Sequence, residues 1–464
     1  MRNWTFKRLL LFFIVCISPL YMLGSNAETS GVPVINIETS DTIKRKEYVL
    51  CTLTVVGDIP QEWVSSYDSV KIRGRGNTTW NEMPKKAYKI KFNKKESLFG
   101  EAKDKEWVLL ANYSDETSIR TAVAFYMGNL SCLEWTPCSH FVELYLNGQY
   151  QGIYQLTEQI KISKNRVNIP KTGCILEVDH TWSVEEDDVW FATDRLLLNI
   201  KEPNIQYIDE QYEWVSFYVN EAEKVLYGDN FRDDISGYSK YYDVESFVDW
   251  YVISEITKNY DSQFHYSCWM SVEPGGKIKM GPLWDFDLSQ GNKGWDQRAL
   301  PDNYARPENF WLKGNTVWID RMLEDETFLE KVKIRMSYFA SHLDDIIKFI
   351  DEQGEQIKDP IIRNDKIWHT LKNTTEDDES IYSSYLTELE YLKDWIRTRM
   401  SWLSIQYPYG GGTSSALFNS FPSNNTTPFE GETLYGLDGK KHNVKPRVKG
   451  VYIHNGKKII KKNY

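Results

Sequence analysis

The chain has 464 residues, enough for two or three hydrophobic cores, with 26% charged and 41% hydrophobic residues in ordinary globular proportion. Its formal net charge of −11 excludes a general binder of nucleic acid or anionic membrane, since both demand excess positive charge, but it leaves room for a local basic cleft. The aromatic content of 14%, with 17 Trp, fits aromatic-rich cores and strand surfaces before it fits stacking on sugars or bases.

Arg2, Lys7 and Arg8 precede an apolar run, Leu9 to Ile17, that is short for a membrane span. Ser25-Asn26-Ala27 forms a small-x-small cleavage signal before Glu28. The expectation is a signal peptide over 1–27 and a secreted or cell-surface protein. Cys16 is a poor lipidation site because Val15 precedes it. No other stretch is apolar and long enough to span a bilayer, so no span is expected after cleavage. Cys51, Cys132, Cys138, Cys174 and Cys268 remain, an odd set that cannot pair completely. Cys132 and Cys138 lie close enough to close a small loop, although spacing does not establish the bridge. No CxxC pair or Cys/His cluster suggests zinc, the 7 His are scattered, and no Ser-His-Asp or Cys-His site is visible.

Residues 32 to 58 alternate as strands, "VPVINIET" and "EYVLCTLTVVG". "SVKIRGRGNTTW" reads as a strand through Val70 and Ile72 that runs into a Gly-rich turn, and "PKKAYKIKF" alternates again. "DETSIRTAVAFYMGNL" has helical spacing, with Ile119, Val123, Tyr126 and Met127 near one face and Asp115 as its cap. "HFVELYLNGQYQGIYQLTEQI" is a hairpin about Asn147-Gly148. "GCILEVDH" and "RLLLNIKEP" are two more strands. Residues 207–227 and 243–259 suit helices, the second capped by Asp243. A short strand pair is expected at Cys268–Met270 and Ile278–Met280, and helices dominate from about 317 to 405. The segment 406–430 is a Gly/Ser/Asn/Pro-rich linker. Residues 431–464 form a short β segment with Asp438-Gly439 and Asn455-Gly456 turns. It resembles the last strands of C-terminal sorting-type segments on exported Bacteroidetes proteins. The whole is an α+β plan, a strand-rich half followed by a helix-rich half with a cleft between them.

The chemistry centres on "KMGPLWDFDLSQGN". In a strand, Asp285 and Asp287 would share one face, about 6–7 Å apart at the backbone, with Trp284 and Phe286 packed inward. That describes an ordinary surface strand. The same geometry lets two carboxylates converge on a hard cation such as Mg²⁺. Asp261 lies just past a helix, and the expected hairpin between it and the pair returns the chain to one cleft. An acid after a helix, then a hairpin, then a metal-binding acid is a phosphoryl-transfer layout.

"KIRGRGNTTW…PKKAYKIKF", "WVLLANYSDETSIRTAVAFYMG", "LYLNGQYQGIYQLTEQIKISKNRVNI", "ILEVD" and "GPLWDFDLSQGN" together resemble the CotH family. This is the spore-coat-protein-H-type family of atypical, secretory-pathway-like protein kinases. The resemblance keeps the same order over roughly residues 34 to 400. It implies a two-lobed protein-kinase-like fold within a domain at 28–405, the N-lobe at about 32–205 and the C-lobe at about 206–405. It implies ATP and Mg²⁺ or Mn²⁺ as cofactors and Ser/Thr of an exported or surface protein as acceptor. Lys89, with Lys86 as substitute, would bind phosphate. Arg73 and Arg75, with Gly74 and Gly76, would cover the phosphates. Glu158 and the backbone after it would lie beside the adenine. Asp261 would be the catalytic carboxylate, Asp285 the main metal ligand and Asp287 a second ligand or its support. One departure stands out: where kinases carry a metal-binding Asn soon after the catalytic Asp, this chain has Ser262, Gln263, Phe264, His265 and Tyr266. A catalytically degenerate surface module on the same fold, binding a protein or glycan, is therefore the alternative. A two-carboxylate glycosidase ranks below both, because neutral sugar leaves the basic Gly-rich strands unexplained.

Overall fold

A computed structural model describes residues 31–295 and 298–409, together with four short strands between 434 and 461. The expected signal peptide and most of the expected linker lie outside the described residues. The N-terminal region builds β1 (Val34–Glu38), β2 (Val49–Val56), β3 (Ser65–Arg75), the single-turn α1 (Thr78–Asn81), β4 (Ala87–Glu96) and β5 (Asp104–Leu110). After them come α2 (Arg120–Asn129), β6 (His140–Leu146) and β7 (Gln149–Glu158). These strands close into a barrel in the order β1-β2-β3-β4-β5-β7-β6. Closure comes from a parallel β1–β6 pairing that sets Val34 opposite Glu143, and it leaves the barrel without a free strand edge.

Period-2 alternation fills the barrel. Ile35, Ile37, Leu53, Val70, Ile72, Ile90, Phe92, Trp107, Leu109, Leu144 and Leu156 form one buried cluster inside it. The intervening positions of β3, β4 and β5, among them Arg73, Lys89, Lys91 and Glu106, therefore face outward. The hairpin turn falls at Asn147 (φ 49°) and Gly148 (φ 71°), the left-handed pair expected from Asn-Gly.

A second sheet follows. It contains β8 (Cys174–Asp179), β9 (Trp190–Ala192), β10 (Leu197–Glu202) and, after α3 (Glu210–Tyr227) and α4 (Val244–Thr257), β11 (Trp269–Val272) and β12 (Lys279–Met280). Its order is β12-β11-β8-β10-β9. The expected hairpin forms, with Met270 opposite Met280. Asp243 caps α4 by accepting from the Ser246 N–H at 3.0 Å. Every α4 residue from Ser246 to Thr257 is buried, so this helix is the axis of the second core rather than an amphipathic surface helix.

The two-residue strands β13 (Gly294–Trp295) and β14 (Arg298–Ala299) lead into α5 (Asp302–Ala305), α6 (Val317–Met322), α7 (Glu326–Ser341), α8 (Leu343–Trp368) and α9 (Asp378–Gln406). The long helical run breaks at His342, which ends α7 and starts α8. The C-terminal segment holds β15 (Leu434–Gly436), β16 (Lys441–His442), β17 (Gly450–His454) and β18 (Lys457–Lys461), in the order β16-β15-β17-β18. The molecule is thus a mixed α+β protein with a strand-rich N-terminal region and a helical C-terminal region.

Two local expectations change. Asp115 is not the cap residue of α2, whose N-cap is Ile119 with no side-chain bond. Its carboxylate instead reaches across the preceding turn. There it accepts from the Thr117 N–H at 3.0 Å and the Arg120 N–H at 2.9 Å, and it pairs with the Arg120 guanidinium. The second change concerns residues 284 to 288. Their burial alternates as in a strand, but they form none, and Asp285 adopts a left-handed φ of 62°.

Candidate phosphate and metal site

Asp261 sits in a one-turn 3₁₀ helix just beyond α4. Lys258 ends α4 in the left-handed conformation, and its ammonium donates to the carbonyls of Asn303, Arg306 and Glu308 at 2.9, 2.9 and 3.2 Å. Glu255, fully buried one turn earlier, pairs with Arg399 at 2.6 Å and accepts from the N–H groups of Trp311, Leu312 and Lys313. The end of α4 is therefore anchored to α9 and to the segment before α6. Two backbone bonds stitch it to the Asp285 segment: Tyr260 N–H to the Leu288 carbonyl at 2.9 Å, and Gln290 N–H to the Thr257 carbonyl at 2.6 Å. This stitching holds the Asp261 turn against the segment that carries Asp285 and Asp287.

Asp285 is in electrostatic reach of both Asp261 and Asp287. Asp285 is exposed by surface area, yet protein atoms crowd its carboxyl group. Burial, followed by the charge of Asp261, raises its pKa, while Arg75 and a 3.2 Å hydrogen bond from the Ser267 hydroxyl oppose the rise. Burial and Asp285 push Asp287 up to about 7. Asp287 accepts from the Ser114 hydroxyl. Asn292 locks the same strap, its amide donating to the carbonyls of Asp287 at 2.7 Å and Ser114 at 2.8 Å. Glu177 of β8 is also raised to about 7 by burial, with Asp179 and Asp285 adding to the effect and Lys201 opposing it. Carboxylates that crowd and repel one another are suited to a hard divalent cation, which takes oxygen ligands.

The basic side comes from the barrel. Arg75 lies over the Trp284 ring, 5.3 Å from its centroid, and is in electrostatic reach of Asp285 and Glu177. Lys89 pairs with Glu106 at 2.8 Å, as does Lys91 at 2.9 Å. Burial lowers the Lys89 pKa, and Arg73 and Arg75 lower it further against the pull of Glu106. Arg73 is less available. Its guanidinium donates to the carbonyls of Arg45 at 2.7 Å and Gly74 at 3.1 Å, and stacks on Tyr48. Lys86 points elsewhere and donates to the carbonyls of Trp80 and Met83.

Two assigned positions have structural duties. Gly74 was expected to let the backbone approach phosphate, but a Cβ there would sit 2.2 Å from the Trp80 ring, so the glycine accommodates that indole. The Glu158 side chain is buried, accepts from the Cys138 N–H at 3.2 Å and lies 3.6 Å from the Arg166 guanidinium. All five described cysteines are free thiols. Cys132 N–H donates to Asp249 and Cys138 N–H to Glu158, so the two residues face different partners. Glu177, Ser114, Ser267 and Asn292 belong to the site but were not singled out. "ILEVD" did contain Glu177, and "GPLWDFDLSQGN" did contain Asn292, each without a role.

A carboxylate cluster opposite a basic strand is the donor set of a kinase-like protein. The family model described as CotH kinase protein matches residues 72–403, most of the chain, and the chain belongs to that family. No curated protein matches it. Membership points to ATP and a divalent metal, and in general to a protein substrate. No helix among the described residues is long and apolar enough to cross a membrane.

Proposed function

We propose that the protein is an exported, metal-dependent kinase that transfers the γ-phosphoryl group of ATP to a Ser or Thr hydroxyl of an exported or surface protein. The observation that carries this reading is Arg75 of the barrel lying 5.3 Å over the ring of Trp284, the residue before Asp285, with Asp285 in electrostatic reach of both Arg75 and Asp261. In this reading the barrel is the N-lobe of a two-lobed kinase-like fold, and the second sheet with its helices is the C-lobe. Asp261 orients the acceptor hydroxyl and takes its proton as the new O–P bond forms and the β–γ bridging bond breaks. Arg75 and Lys89 hold phosphate oxygens, with Arg73 bracing the strand. Asp285 would ligate the cation and Asp287 would support it. Because the Glu158 side chain is tied inward, contacts to the base fall to the backbone after it. A bound divalent cation supplies neutralisation of the phosphate charge.

The test is thermal unfolding with ATP and Mg²⁺ or Mn²⁺, followed by phosphate transfer. Ligand at 100 times its Kd stabilises the native state by about 2.7 kcal/mol. Asp285→Asn is expected to lose that shift. Asp261→Asn is expected to keep it while transfer falls by about 10²–10⁴-fold. Unchanged binding in the first variant, or full transfer in the second, overturns the corresponding role.

A specific observation favours the second reading, a catalytically degenerate surface module. The Gln263 amide, near where a kinase keeps its second metal-binding side chain, donates to the Trp311 carbonyl at 2.8 Å. Close by, Trp182 is 74% exposed, stacks on His180 at 4.3 Å and donates to the Tyr266 hydroxyl at 2.6 Å, an aromatic surface suited to a partner. Absence of a thermal shift with either metal would select this reading.

A further inference from the structure

Outside the cleft, one end of the barrel gathers Glu101, Cys138 and His140, with a carboxylate oxygen, the thiol sulfur and an imidazole nitrogen all within 4.8 Å of one another. They come from three places: the β4–β5 loop, the approach to β6, and the first residue of β6. Cys138 and His140 are only two apart, but Glu101 is remote in sequence, so no cluster was visible along the chain. Each is partly exposed, which leaves a route in for an ion.

The backbone fixes all three donors. Glu101 donates its N–H to the Leu98 carbonyl at 3.0 Å and accepts from the Ser97 hydroxyl at 2.6 Å. Cys138 N–H is held by Glu158, and His140 is in register with Leu156 of β7. His140 Nε2 lies 2.8 Å from Glu101 Oε1, and its ring packs against Phe99 at 5.3 Å. Charge is unbalanced here: Glu158 and Glu101 both face the thiol, and Arg166 opposes them.

We infer that Glu101, Cys138 and His140 form a second metal site, for Zn²⁺ or a similar first-row divalent cation, chemically distinct from the all-oxygen cluster around Asp285. An N, O, S donor set selects zinc over Mg²⁺ or Mn²⁺, because a thiolate is a soft ligand. Around a tetrahedral zinc, ligand atoms stand about 3.3–3.8 Å apart, which modest side-chain rotation reaches from the present positions. Water takes the fourth position. Glu158 stays behind the ligands, bracing the Cys138 backbone in the way outer partners fix a metal's ligands. The ion would tie the β4–β5 loop to the start of β6, beside the point where β7 leaves the barrel.

The test titrates the metal-free full chain with Co²⁺. One equivalent is expected to give a thiolate-to-cobalt charge-transfer band that Zn²⁺ abolishes and excess Mg²⁺ leaves intact. Cys138→Ser is expected to remove the band, and His140→Ala to weaken binding at least about tenfold. Cys51→Ser is expected to retain both. Thiol alkylation mapped by mass spectrometry tests the wild type alone, independent of whether variants fold: Zn²⁺ is expected to protect Cys138 and leave Cys132 reactive. No charge-transfer band, a band that survives Cys138→Ser, or Cys138 labelling indifferent to Zn²⁺ overturns the site.

Discussion

Glu106 and Asp287 show how neighbours decide what a carboxylate does. Burial pushes both up. At Glu106, however, the charge and hydrogen bond of Lys89, the hydrogen bond of Lys91 and the charge of Lys161 outweigh burial and hold the group at about 2. At Asp287 the dominant neighbour is another acid, and the group rises. Glu106 therefore belongs to the framework that positions the basic strand, and Asp287 to the acid cluster proposed to hold a cation. The sign for Glu106 follows from its lowered pKa. Its stabilising contribution is fully present above the unfolded value of 4.5 and is lost as pH falls from there towards about 2. Glu106→Gln is expected to flatten this part of the stability–pH curve. It is also expected to cost about 2 kcal/mol at neutral pH, less than a fully buried pair, because water reaches Lys91. Urea unfolding of both proteins across acid pH checks it; parallel curves would remove Glu106 from this role.

At the scale of elements, the barrel and the helical region are joined by a polar seam along α8. Lys85 is 1% exposed and donates to Asn364 Oδ1 at 2.8 Å and to the Ile153 carbonyl. Burial pulls its pKa well down. Arg363 grips Glu143 of β6 through two bonds of 2.8 and 3.0 Å, and the Trp368 indole donates to the Gln151 carbonyl at 2.8 Å. Asn364→Ala would take one of its acceptors from the buried ammonium and leave unmet the Ile153 N–H that the same oxygen accepts at 3.3 Å. The expected loss is about 2 kcal/mol, read as a lower denaturant midpoint at unchanged slope. An unchanged midpoint would mean that the seam carries no stability.

This seam also marks what the sequence makes legible. The Asn147-Gly148 hairpin, the Asp243 cap and the paired strands before Asp285 are local signals, and they form where they were read. Lys85, Asn364 and Arg363 lie in a barrel approach and a distant helix, and no local pattern joins them. The same contrast runs through the site. Asp261, Asp285 and Asp287 stood out because one hairpin relates them. Ser114 and Glu177 reach the site from separate segments, and only tertiary packing reveals them; Asn292 ends the quoted stretch itself, but nothing local shows that it bonds Ser114. Alternation misled at residues 284 to 288, where Trp284 and Phe286 are buried around Asp285 without strand geometry. Gly74 misled because the ring that fills its missing side chain lies past a turn.

For the molecule as a whole, the division of charge matters most. The barrel contributes Arg75 and Lys89, and the region after it contributes Asp261, Asp285 and Asp287. Neither holds a complete phosphate–metal site, although the chain as a whole carries a net charge of −11. A nucleotide–metal complex would bridge them, with the cation answering the acids and the phosphates answering the arginine. This division separates two binding terms that an ordinary pocket would mix. Arg75→Gln removes one of the barrel's two cations and leaves the acid cluster in place. It is expected to retain stabilisation by Mn²⁺ alone and to weaken the added effect of ATP. Loss of one charged hydrogen-bonding group costs about 1.5–3 kcal/mol, or roughly 10–100-fold in nucleotide affinity. Asp285→Asn is expected to lose the metal effect first and the nucleotide effect with it. Calorimetric titration of each variant with Mn²⁺, then with ATP in saturating Mn²⁺, distinguishes the two patterns. If Arg75→Gln binds ATP as tightly as wild type, Arg75 contributes nothing to the ligand, and its phosphate role is overturned.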